Sequence, residues 1–468
     1  MKNICSENRR KNIFLNNGIG SGYSILFALS FLITSSIVFT VSVGLANTDN
    51  SAKGTPIKWI KSVTEDTTDP VQWGATFANE YESYKRTVDS TRTKFGGSEA
   101  MPESKLERDP WLKRMYAGYA FSLDYRDRRG HAYMLQDQET SKRITEKKQP
   151  GACLHCHSSI IPAYRHIGKG DVMKGFEIVC SMPYQEALNL KDDKGNKLVQ
   201  HPVSCVDCHS PETMELRITR PGFINGIKAL KASQGVNDYD PNRDASQAEM
   251  RIYVCAQCHV EYYFKGDGKL LTYPWNNGLK IEEIEKYYDD MSYSDWIHAE
   301  TGAGVLKAQH PEFELWSQGY HAEYGVACAD CHMPTIKEGA KEYADHWVRS
   351  PVLNINLACL PCHSSSEEEM KKKVDDIQGK TYQMVQQAAK TLTDMLDAIG
   401  EAKKAGATDD QLKPVYALQR KAQWRLDFIS SENSMGFHAP QEAARILAES
   451  IDYSRQAELA ARNLIGSK

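Results

Sequence analysis

The chain has 468 residues, 41% of them hydrophobic, and a formal net charge of −4. A balance of 61 acidic against 57 basic residues argues against a nucleic-acid partner, which calls for a basic surface. The length allows two or three domains, but so moderate an apolar content is thin for that many side-chain cores.

The first 46 residues read as a targeting segment. Lys2, Arg9, Arg10 and Lys11 form a basic start, and no further charge appears until Asp49. Ile25 to Ala46 is an apolar run ending in Val43-Gly44-Leu45-Ala46, which has the small residues of a cleavage site. The expectation is a signal peptide cut after Ala46. The run is also long enough to span a bilayer if retained as an anchor. Either way the body of the chain is exported. Residues 47–110 are polar and read as an entry segment lying on the surface.

Next comes the dominant feature. Cys-x-x-Cys-His occurs five times, at Cys153–His157, Cys205–His209, Cys255–His259, Cys328–His332 and Cys359–His363. This is the attachment pattern of a c-type haem. Two thiols one helical turn apart reach the two vinyl groups, and the adjacent histidine turns under the ring as proximal iron ligand. The motifs take ten of the twelve cysteines. Structural zinc or disulfides leave the histidine after every pair unexplained. Of the other two thiols, Cys5 lies in the leader, and Cys180 reads as a buried small hydrophobe.

The motifs recur at uneven intervals with no repeat period, and strand signals are sparse. The fold expected is mainly α: a multihaem cytochrome c with little β, the haems packed in the core and long helices at the C-terminus. Ser366 before Glu367-Glu368-Glu369 reads as a helix N-cap with acid in the first turn. Val385, Ala388, Leu392, Met395 and Ile399 follow as a helical seam. Gln411–Ser430 and Pro440–Ile465 read as two more helices. The seam fits an intramolecular bundle or a dimer interface. The organisation expected is 1–46 leader or anchor, 47–366 haem-bearing catalytic domain, and 367–468 helical region and dimer interface.

Fourteen histidines leave nine after the five proximal ligands. An electron carrier needs a sixth ligand on every haem, whereas an enzyme needs one open face, and the count allows both. His166, His201 and His298 read as structural or surface residues, and His155 as facing outward from its motif.

Several blocks resemble the pentahaem cytochrome c nitrite reductases, which form ammonia. They are Tyr116-Ala117-Gly118-Tyr119 with Arg129-Gly130-His131, Cys258-His259-Val260-Glu261-Tyr262-Tyr263-Phe264, Ser294-Asp295-Trp296, Lys307-Ala308-Gln309-His310-Pro311, Cys331-His332-Met333-Pro334, and Phe437-His438-Ala439-Pro440. The resemblance runs from about Trp111 to the C-terminus. It implies six-electron reduction of nitrite to ammonium in the periplasm, with five haems and calcium as cofactors. The catalytic haem would sit on Cys153, Cys156 and His157, facing Arg143, Tyr262 and His310, with Lys142 the alternative to Arg143. Distal ligands would be His131 for the haem of His259, His321 for His363, His346 for His209 and His438 for His332. The remaining thioether positions are Cys205, Cys208, Cys255, Cys258, Cys328, Cys331, Cys359 and Cys362. Calcium would be held by the Glu261 carboxylate, the Tyr262 and Lys307 carbonyls and the Gln309 amide oxygen, all hard donors. The resemblance further implies a homodimer fed by a membrane quinol dehydrogenase or a soluble multihaem cytochrome.

The family usually has Lys where this chain has His157, although some members carry His there. The stretch from Ile167 to Val203 is longer than usual. In this chemistry Arg143 supplies a permanent forked cation for a small anion. His310 titrates near neutrality as a proton donor, and Tyr262 orients or relays. Two alternatives stay open: an electron carrier with no open haem, and a reductase of hydroxylamine, nitric oxide or sulfite.

Overall fold

The structure is a computed structural model that describes residues 63–466. The leader at 1–46, with its cleavage site or anchor, lies outside the described residues. Among the described residues no helix is long and apolar enough to cross a membrane. The described residues fall within one compact unit.

The regular elements that matter for the site are few. After the first motif come α1 (Ile161–Ile167), α2 (Val172–Ser181) and α3 (Tyr184–Leu188). Then follow α4 (Pro221–Ser233), α5 (Gln247–Ala256), β1 (Tyr263–Lys265), β2 (Leu270–Thr272) and α6 (Ile281–Asp290). The pairs β3 (Trp296–Ile297) with β4 (Gly304–Val305), and β5 (Thr335–Glu338) with β6 (Lys341–Ala344), are antiparallel ribbons like β1–β2. Between these elements run one-turn helices and loops, and no larger sheet forms among the described residues.

The C-terminus is regular. α7 (Glu367–Lys404), α8 (Asp409–Ser431) and α9 (Pro440–Gly466) pack together as a three-helix bundle. α7 starts where the sequence indicates. Ser366 Oγ accepts from Glu369 N at 3.2 Å while Glu369 Oε2 accepts from Ser366 N at 3.0 Å, a reciprocal capping box. α8 starts two residues earlier than expected, because Thr408 and Gln411 form a second such box. The seam residues Val385, Ala388, Leu392, Met395 and Ile399 are all buried. They join one apolar core with Trp424, Phe428, Ile446 and Leu447 of the other two helices, and with Tyr116, Tyr263 and Leu306 from the motif-bearing half. Of the two uses open to the seam, the intramolecular bundle is the one seen within this chain.

Two expectations need correcting. The entry segment is not wholly superficial: Trp73 is buried with its Nε1 donating to Thr67 O at 2.9 Å, and Tyr84 donates to Val203 O at 2.7 Å. His155 does not face outward. It is fully buried, 4.9 Å from the Phe176 ring, with Nδ1 3.1 Å from the Tyr164 hydroxyl. Tyr164 and Phe176 belong to α1 and α2, so the long stretch after the first motif is what covers it. Cys180, also on α2, is buried in that same core.

Candidate haem and substrate site

Each Cys-x-x-Cys-His motif sits in or beside a helical turn, so its thiols and its histidine emerge on one side of a short rigid segment. Four of the five motif histidines face a second histidine from elsewhere in the chain. Ring centres are 6.5 Å apart for His131 and His259, 6.2 Å for His209 and His346, 6.3 Å for His321 and His363, and 6.5 Å for His332 and His438. Imidazoles bound to opposite faces of one metal through bonds of about 2 Å hold their ring centres at roughly this spacing.

The imidazoles are oriented through their other nitrogen, as metal-binding histidines are. Nδ1 donates to a backbone carbonyl in four of them: His157 to Met134 O at 3.1 Å, His209 to Met214 O at 2.9 Å, His332 to Arg349 O at 3.0 Å and His346 to Ala344 O at 2.9 Å. That leaves Nε2 free in each. Burial pushes His131, His157, His209 and His332 down to about 4, which keeps the rings neutral, the form that binds iron.

The chain is a member of the cytochrome c552 family. The family model matches residues 69–468. Cytochrome c-552 of Parabacteroides distasonis is 39% identical over 400 residues, covering 83% of this chain and 75% of that one. Cytochrome c-552 of Porphyromonas gingivalis is 36% identical over 442 residues, covering 92% and 84%. Among solved structures, a cytochrome c nitrite reductase of Desulfovibrio desulfuricans, described for two calcium sites in its catalytic subunit, superposes with a TM-score of 0.76 at 28% identity, covering 86% of this chain and 88% of that one.

The cytochrome's motifs are not wired in sequence order. The Cys156 and Cys258 side chains are close neighbours, as are those of Cys255 and Cys328. Cys208 lies within electrostatic reach of Cys255 and Cys258, and Cys331 of Cys359 and Cys362. The third motif is therefore a hub touching the first, second and fourth, and the fifth follows the fourth. A buried ion pair fixes part of this layout. Arg220 Nη1 donates to Asp207 Oδ1 at 2.8 Å inside the second motif, and its Nη2 donates to Ser158 O at 2.9 Å just past the first.

The first motif stands apart. Among the described residues no second imidazole faces His157 at the spacing of the other four pairs. Arg143, Tyr262 and His310 gather near it instead: His157 senses the Arg143 charge, His310 senses His157, and Tyr262 senses Cys153, Cys156 and Arg143. Arg143 is half-buried, whereas Lys142 is exposed. The Arg143 guanidinium lies 4.3 Å over the Phe121 ring, with the Lys307 ammonium also 4.8 Å from that ring. Tyr119 stacks on Phe121 at 5.7 Å and on Trp296 at 4.6 Å. Gly118, at φ +92°, makes the bend that sends Tyr119 there. Arg143 Nε and His310 Nδ1 are buried with no hydrogen-bond partner in the protein. Burial pushes His310 down to about 3, against the pull of Glu312. The ring is thus neutral, not poised near neutrality as its ordinary value implies, because it is enclosed on its loop.

Glu261 is fully buried. Its Oε1 accepts from the Tyr288 hydroxyl at 2.9 Å and its Oε2 from Gln309 N at 2.6 Å. Burial, with Glu314 adding like charge, pushes it well above the usual carboxylate range. Gln309 is buried beside it, and Lys307 turns its ammonium elsewhere, to Asp427 at 3.1 Å and Ser431 at 2.8 Å. A carboxylate this deep without a basic partner fits a cation-holding role. Among the described residues no group of three or more His, Cys, Asp or Glu forms a metal site; the set expected here has one carboxylate and is otherwise carbonyl and amide oxygen. Phe121, Glu312 and Glu432 had no local sequence signal, since their relevance comes only from what they touch.

Proposed function

We propose that this cytochrome reduces nitrite to ammonium at the site of its first motif. One asymmetry carries the reading: four motif histidines face a second imidazole, whereas the first motif has Arg143, Tyr262 and His310 nearby instead. The similarity over most of the chain to a nitrite reductase of Desulfovibrio desulfuricans supports the same substrate.

The conversion takes six electrons and eight protons. Five haems, bound at the motif cysteines and histidines, would store and pass the electrons and leave one iron face open to the anion. The protein does the rest. Arg143 attracts and orients nitrite, its guanidinium held over the Phe121 ring. Tyr262 adds a phenolic donor whose burial keeps its proton in place. His310 is a neutral ring that would donate a hydrogen bond to a nitrite oxygen and pass a proton on only by taking one up from water at its other nitrogen as N–O bonds break. Glu261, the Tyr262 and Lys307 carbonyls and Gln309 would hold calcium, pinning the two segments that carry Tyr262 and His310 and adding positive potential near the anion.

A leader of the kind read at residues 1–46 would put this chemistry in the periplasm, where a multihaem quinol dehydrogenase or soluble cytochrome would feed it. A second copy would pair along the C-terminal helices. The competing electron-carrier reading requires a sixth protein ligand for the first haem; among the described residues no imidazole pairs with His157 at the spacing of the other four.

The deciding measurement is ammonium formed from nitrite by the purified holoprotein with a reduced viologen, alongside visible and paramagnetic-resonance spectra. The expected result is turnover, four low-spin haems and one high-spin haem perturbed by nitrite. An entirely low-spin protein indifferent to nitrite and cyanide overturns the reading. Parallel rates with hydroxylamine, nitric oxide and sulfite rank the acceptors.

A further inference from the structure

The eight paired imidazoles are not supported alike. Where a direct Nδ1 hydrogen bond is made within the four pairs, His209, His332 and His346 donate to neutral backbone carbonyls. His438 is different: its Nδ1 makes a buried ion-pair contact with Glu432 Oε1 at 2.6 Å, with neither atom in an aligned hydrogen bond. Glu432 is only 2% exposed. Its other oxygen accepts from Ser434 Oγ at 2.7 Å, and that hydroxyl in turn accepts from His438 N at 3.0 Å. Among the described residues His438 is its one ion-pair partner. His259 also faces an acid, Glu312, but at 3.9 Å, beyond direct hydrogen-bond reach.

The position of this pair in the wiring gives it consequence. His438 faces His332 of the fourth motif, which lies between the fifth motif and the hub at the third. An anion on the far nitrogen of an axial imidazole makes it a stronger donor. A stronger donor favours the ferric over the ferrous state and lowers the reduction potential. In a buried setting little solvent screens that effect.

We infer that Glu432 is a positioning residue that acts through His438 to hold the haem of the fourth motif at a lower potential than carbonyl-supported pairs would give. Electrons crossing from the fifth motif toward the hub would then meet a deliberate step at the fourth. This rests on reading His438 as an axial ligand, and the test separates the two.

The experiment is a spectropotentiometric titration of the five-haem holoprotein, wild type against Glu432→Gln and Glu432→Asp, with paramagnetic-resonance spectra of each. The expected result for Glu432→Gln is an upward shift of one low-spin component, with altered g-values for that haem alone, and a partial return in Glu432→Asp. Unchanged potentials for all components overturn the inference. So does conversion of one haem to high spin in Glu432→Gln, which would make Glu432 a strut for the ligand and not a tuner. His438→Ala must abolish one bis-histidine signal. If it does not, the ligand assignment fails, independently of the role given to Glu432.

Discussion

The C-terminal bundle and the motif-bearing half of this cytochrome solve the same folding problem by different means. The bundle is held by its own side chains, with Leu392, Met395, Ile399, Trp424, Phe428 and Leu447 all essentially inaccessible. The described motif-bearing half has three two-stranded ribbons, many one-turn helices and five cysteine pairs, and an apolar cluster around Phe176, Phe223 and Trp275 shares its interior with the paired histidines. Regular structure thus marks where amino acids alone fill the core. Irregular structure marks where the chain is shaped to hold something else. The two halves meet at a buried cluster in which Asp427 of α8 accepts from the Lys307 ammonium at 3.1 Å, the Tyr116 hydroxyl at 2.5 Å and Ala308 N at 3.0 Å.

Substitutions can break this contrast or sharpen it. The largest effect is expected at the chemistry itself: His310→Ala should cut nitrite turnover by about 10²- to 10⁴-fold, with haem content and melting temperature near wild type. Normal turnover would remove His310 from proton delivery. Next is the joint between the halves. Asp427→Ala leaves Lys307 charged and unpaired in the interior and should cost about 3–5 kcal/mol. Turnover should fall as well, because Lys307 flanks Gln309 and His310. Loss of stability with full activity would show that the halves are mechanically independent. Leu392→Ala, within the bundle, should cost about 2–5 kcal/mol in denaturant unfolding and leave turnover per folded molecule unchanged. Calcium chelation should act in the opposite sense, lowering turnover while leaving helix content by circular dichroism intact; an active, metal-free enzyme would remove the Glu261 site. The smallest effect is at the start of α7, where Ser366→Ala should cost about 1 kcal/mol and touch nothing else.

Some of this was legible in the residues. The five motifs fix the number and kind of cofactors, because thioether attachment needs two thiols and a histidine at one spacing. The helices of the bundle are written locally: Ser366 and Glu369 cap one, and Pro440 opens another as a first-turn residue. The outward placement of His155 was misread because motif position alone says nothing of what covers a residue. The cover is Tyr164 and Phe176, supplied by the following helices.

By itself, then, the sequence determined what is covalent or local: the attachment sites, the caps, the helical seam. Only the tertiary structure decided which histidine faces which, that the third motif is the hub, that His157 has Arg143, Tyr262 and His310 for company, and that His438 leans on Glu432 and not on a carbonyl. The physical reason is range. A motif or a cap is set by residues within a turn of one another, whereas axial pairs, buried acids and thiol contacts join positions more than a hundred residues apart in several cases, and their chemistry exists only once the chain has closed around them.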